Sequence, residues 1–217
     1  MGQGACEVRL LVVGESSAVG VGVRSYDETL AAHIAAIYSE RSGCVVHWSA
    51  IGKSGATVDE LSVLLARQPP DSLKADIVVM AIGVNDVLRL RSPLHWRRSL
   101  RSLIDLLQVS TGCQLMLLSP IPPLWKFVLL PIPLRYVLGA QALLLDGCSQ
   151  IVVARDSRVR HLCIPLLDQT SMLCEDRFHP SSCGYREWAR YVALAMPYRA
   201  ESEPMLRASR PIGSPPR

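Results

Sequence analysis

The chain has 217 residues, of which 49% are hydrophobic and 19% charged. That length suits one large domain, and the apolar content is enough to bury a core, which excludes global disorder. A net charge of +4 falls short of the concentrated positive charge of a dedicated nucleic-acid binder, so no nucleic-acid partner is expected.

Short aliphatic runs alternate with longer segments of helical period. The runs are 8–14 (VRLLVVG), 44–50 (CVVHWSA), 76–82 (DIVVMAI), 114–119 (QLMLLS) and 159–166 (VRHLCIPL). Near-continuous runs of this kind suit strands buried on both faces of a parallel sheet. Between and after them, helices are predicted over 27–40, 58–67, 93–109, 136–154 and 182–195. Thr57 and Glu60 form a capping box ahead of the second helix, and Ser92 followed by Pro93 reads as an N-cap with proline at the first helical position. Five strand–helix alternations imply an α/β domain, a three-layer α/β/α flavodoxin-like arrangement around a five-stranded parallel sheet. The loops after the strands then share one edge, where such folds build their sites.

Residues 1–197 read as this domain and 198–217, rich in proline, serine and arginine, as a flexible tail. No membrane span is expected: the apolar stretch 115–139 is interrupted by five prolines and carries Lys126 and Arg135. The first residues lack a basic segment followed by an apolar run, which points to the cytoplasm. Seven cysteines without a C-x-x-C pair are expected to be reduced and structural, with no metal site.

The segments that follow the strands carry the chemistry. They are Gly14-Glu15-Ser16-Ser17, then Gly52-Lys53-Ser54-Gly55-Ala56-Thr57, then Gly83-Val84-Asn85-Asp86, and finally Asp176-Arg177-Phe178-His179. Together they supply a hydroxyl, small-residue turns with backbone N–H groups, a carboxamide, and a carboxylate three residues from an imidazole. Those are the parts of an acyl-transfer site.

These four blocks, GESSAVGVG, GKSGAT, GVND and DRFH, resemble the ordered blocks of the SGNH hydrolases, also called the GDSL esterase/lipase family. The resemblance spans Gly14 to His179. It implies a serine hydrolase of carboxylic esters or thioesters that needs no cofactor, with a small-molecule ester or acyl substrate. It implies Ser16 as nucleophile, with Asp176 and His179 as the acid–base pair. The oxyanion hole would be the Ser16 and Gly55 backbone N–H groups with the Asn85 side chain; Gly52 competes with Gly55 for its place. Glu15 stands where the family usually has Asp, and is the one feature favouring the alternative, a catalytically inactive binding module.

Other features have plainer readings. His33, His47, His95 and His161 read as structural, and Asp86 as a cap on the turn after Asn85. Arg89, Arg91, Arg97, Arg98 and Arg101 read as a solvated helix face, with an anion site as the other reading. The segment 120–135 is too proline-rich for a regular element and too apolar for a solvated loop. Trp125, Phe127, Val128 and Leu129 are therefore candidates to line or cover an acyl pocket and to meet lipid, with an apolar loop packed on the domain or a second subunit as the other reading.

Overall fold

Five parallel strands lie in the order β2-β1-β3-β4-β5 in the computed structural model, which describes residues 6–165 and 170–197. They are β1 (Glu7–Gly14), β2 (Val45–Gly52), β3 (Ile77–Ala81), β4 (Leu115–Leu118) and β5 (Val159–His161). Six helices flank them: α1 (Leu30–Ser42), α2 (Val58–Ala66), α3 (Val84–Leu88), α4 (Pro93–Thr111), α5 (Leu134–Val153) and α6 (Ser182–Ala195). One core cluster joins α2, α4 and α5 to one sheet face, and another joins α1 and α6 to the other. This is the expected three-layer α/β/α architecture.

The capping signals act where the sequence places them. Thr57 accepts from the Glu60 N–H while Glu60 accepts from the Thr57 N–H, and Ser92 accepts from the His95 N–H. Strands β3 and β4 are buried throughout, as their aliphatic runs require. Strand β2 is not, because it lies at the sheet edge with one side unpartnered. Strand β5, at the other edge, is three residues long against eight expected, and the chain leaves the sheet before Pro165.

Two further expectations are corrected. Cys6 and Cys44, which precede the neighbouring strands β1 and β2, form a disulfide; they are adjacent because the Val45 N–H donates to the Cys6 carbonyl at 2.8 Å. Cys163, expected inside an apolar run, is exposed. Helix α5 is long and apolar enough, by length and composition alone, to cross a membrane, with a mean hydropathy of 1.4, though 44% of that window is buried within the protein. The tail expected at 198–217 lies outside the described residues.

Candidate active site

Ser16 follows β1, an interior strand between β2 and β3, two residues past Gly14. Residues 16–22 form successive turns, with the Val21 N–H donating to the Ser16 carbonyl at 3.0 Å, and regular helix begins only at Leu30. Ser16 therefore sits in a run of turns and not at a helix start. His179 lies 163 residues away in a tight loop after β5, and its Nε2 is 3.0 Å from Ser16 Oγ. Gly22 explains how these segments meet. Its φ of +104° is open to glycine, and a Cβ there would lie 2.5 Å from the Pro180 carbonyl oxygen. From the other side, buried Tyr185 on α6 donates to the Val21 carbonyl at 2.7 Å.

Asp176 completes the chain of contacts, with Oδ2 at 2.6 Å from His179 Nδ1. Its Oδ1 accepts from the Phe178 and His179 backbone N–H groups at 2.8 and 2.9 Å, and from the Cys174 thiol at 2.9 Å. Burial works to raise this carboxyl's pKa. The donors outweigh it and hold the group well below the ordinary carboxylate range. The His179 ring meets Phe178 edge-on at 5.3 Å, and Phe178 meets Phe127 at 5.5 Å.

An apolar cavity opens beside Ser16 and His179, walled by Ile121, Leu124, Phe127, Ile164, Phe178 and Trp188 among others. Of the four residues picked from 120–135, only Phe127 lines it. Trp125 packs onto α5 at Gly139, where a Cβ would lie 2.7 Å from the indole, and Val128 and Leu129 point to solvent. Trp188 donates to Ser119 Oγ at 3.2 Å, fixing α6 against the cavity wall. Sequence reasoning missed Ile121, Leu124, Phe178 and Trp188. Ile121 and Leu124 lie in the segment 120–135 that the sequence marked, Phe178 had its place between Asp176 and His179, and Trp188 had no signal.

The model of the GDSL-like lipase/acylhydrolase family matches residues 12–187. The chain belongs to that family. It is a carboxylic ester hydrolase of the GDSL-like class. Solved structures with the same fold include a lipase from a goat rumen metagenome, 18% identical with a TM-score of 0.72 over 89% of this chain and 100% of that one. An acetyl xylan esterase from Geobacillus stearothermophilus is also 18% identical, with a TM-score of 0.62 over 87% and 94%. A family 3 carbohydrate esterase from Clostridium thermocellum is 16% identical, with a TM-score of 0.66 over 86% and 93%. No curated protein matches the chain.

In this GDSL-like hydrolase Glu15 is a buried organiser. Its carboxylate accepts from the Val84 and Asn85 backbone N–H groups at 2.9 and 3.0 Å, and from the Asn85 carboxamide. The longer side chain thus reaches from the turn after β1 to the start of α3 and sets the Asn85 amide plane. Burial pushes its pKa up to about 7 against those donors. A carboxyl raised in the folded state stabilises most fully below its unfolded pKa, and that contribution is lost as pH rises through the folded value. The stability difference between wild type and Glu15→Gln should therefore shrink by on the order of 3 kcal/mol from about pH 4.5 to 8. Urea unfolding across that range checks this; a constant difference would contradict it.

Gly55 has a φ of +77°, with open space where a Cβ would stand, so its backbone conformation is what calls for glycine. Gly52 is the crowded position, where a Cβ would lie 2.4 Å from the Gly14 carbonyl oxygen. Arg89 holds the Gly55 carbonyl at 3.1 Å and pairs with Glu60. Neither Gly55 nor Asn85 lines the cavity; they stand after β2 and β3, the two strands that flank β1, at the same sheet edge.

Asp86 caps α2 through the Val58 N–H at 3.0 Å, not the turn after Asn85, and its burial raises its pKa to about 6. His95 and His161 also find carboxylates, Asp59 at 2.7 Å and Asp146 at 2.9 Å. Ser99 and Asp59 both meet the same nitrogen of His95, so no relay through its ring exists there. Among the described residues, no group of three His, Cys, Asp or Glu could hold a metal ion.

Proposed function

We propose that the chain hydrolyses carboxylic esters, thioesters included, through an acyl intermediate on Ser16. His179 Nε2 takes the Ser16 proton as Oγ attacks the substrate carbonyl, and Asp176 holds the imidazole tautomer and stabilises the imidazolium. Negative charge developing on the carbonyl oxygen is met by the Ser16 and Gly55 backbone N–H groups and by the Asn85 carboxamide, which Glu15 orients. His179 then returns its proton to the leaving alcohol or thiol. A water that gives its proton to His179 attacks the acyl-serine, and His179 passes that proton to Ser16 Oγ as the bond to the acyl group breaks and the acid leaves. Every proton in this scheme has a carrier among these residues.

The observation carrying this reading is the unbroken contact chain Ser16–His179–Asp176, at 3.0 and 2.6 Å. A fluorophosphonate should label the protein once, at Ser16, as peptide mass spectrometry would read. An inert Ser16 would return the protein to the non-catalytic reading.

The apolar cavity beside Ser16 suits the acyl chain. Phe127 contributes one wall and also touches Phe178. Phe127→Ala should lower kcat/KM for p-nitrophenyl octanoate roughly tenfold more than for the acetate ester. Equal losses on both esters would remove the cavity from acyl recognition. The Cys6–Cys44 bond favours an oxidising compartment, the reverse of the expectation drawn from the opening residues.

A further inference from the structure

Helix α5 is apolar on two opposite faces, and only one has a partner in the fold. Its inner face, with Leu138, Ala142, Leu145 and Val152, belongs to the core. Val137, Ala140, Leu144 and Ile151, spaced three, four and seven residues apart, share the outer face, all exposed, with exposed Leu143 beside them. Surface helices ordinarily turn charge toward water. Between Arg135 and Arg155 the only Asp, Glu, Lys or Arg on this helix is Asp146, and it turns inward to accept from the Ile121 N–H and meet His161. Val128, Leu129 and Ile132, which precede α5 in the chain, are also exposed, in the same segment as the cavity residue Phe127.

Charge says what this face meets. Arg97, Arg98 and Arg101 from α4 and Arg155 beyond α5 line a hollow with Leu94 and Ile151, and no acid lines it. Among the described residues, Arg97, Arg98 and Arg155 have no acidic partner, and Arg101 donates to the Val152 carbonyl. Exposed leucines and isoleucine beside unpaired guanidinium groups match an anionic bilayer, whose phosphates take the guanidinium forks while the apolar side chains enter the acyl boundary. The geometry points to the outer face of α5, with this arginine hollow, as a docking surface for anionic phospholipid membranes.

This inference goes beyond ester hydrolysis, and its test reads binding, not turnover. The full chain should co-sediment with vesicles of phosphatidylcholine plus phosphatidylglycerol, and far less with phosphatidylcholine alone. The triple variant Arg97→Gln/Arg98→Gln/Arg155→Gln should bind the mixed vesicles on the order of a hundredfold more weakly. Leu144→Glu/Ile151→Glu should abolish binding, with hydrolysis of a soluble acetate ester unchanged. Leu144→Ser/Ile151→Ser, milder at these exposed positions, replaces that pair if its circular dichroism shows misfolding, and should weaken binding in the same direction. No binding to mixed vesicles, or binding indifferent to either set of substitutions, would overturn the proposal. So would a dimer in analytical ultracentrifugation that Leu144→Glu dissociates, because a second copy would then cover this face.

Discussion

Ser16→Ala is expected to lower the turnover of p-nitrophenyl acetate by about 10⁶, equivalent to about 8 kcal/mol of transition-state stabilisation. The size follows from how the three residues work together. With no Oγ to activate, the 3.0 Å contact to His179 Nε2 has no function, and the imidazole and its aspartate are left without a nucleophile to serve. Folding should be untouched. The Ser16 main chain, whose carbonyl holds the turn through the Val21 N–H, is the same in alanine. Stopped-flow or continuous assays, paired with a melting curve, check both halves. A variant that folds normally and keeps more than a small fraction of the rate would show that another group attacks the ester.

Asp176→Asn should cost about 10⁴ in kcat, for a reason that lies in the direction of one hydrogen bond. Asp176 Oδ1 accepts from two backbone N–H groups and from the Cys174 thiol, so the asparagine carbonyl is committed to that side. The amide NH₂ then faces His179 Nδ1, which must accept. The ring proton moves to Nε2, where it points at Ser16 and cannot take the serine's proton. The depressed pKa of Asp176 adds a pH signature. A carboxyl lowered in the folded state contributes stability above its unfolded pKa, and that contribution disappears as pH falls through the folded value. Wild type should therefore gain stability over the asparagine variant as pH rises from strongly acid to about 5, and level off. A kcat unchanged by the substitution would take Asp176 out of the relay.

Much of this site could be read from letters because it is built where strands end. The strand-end rule put Ser16, Gly55, Asn85 and the Asp176–His179 pair on one edge, and the parallel sheet order brings those edges together. What could not be read depends on packing across elements. Trp125 and Phe127 are equally aromatic and two residues apart, yet a short 3₁₀ turn over Leu124–Lys126 sends one onto Gly139 and the other into the cavity. Cys6 and Cys44 become a pair only once β1 and β2 are known to be neighbours in register. Glu15 looked like a departure from pattern until its three donors were located. The outer face of α5 escaped notice because period alone does not reveal which of two apolar stripes the core will take.

The serine follows the first strand and the imidazole lies in the loop before α6, 163 residues apart in sequence. That separation makes the enzyme its own sensor of completeness. A chain still emerging from the ribosome, or one whose final helix has come loose, holds a serine with no base beside it. Contacts so distant along the polypeptide form only after the intervening layers have assembled. Hydrolytic competence should therefore appear in a single late step during refolding, never in graded instalments.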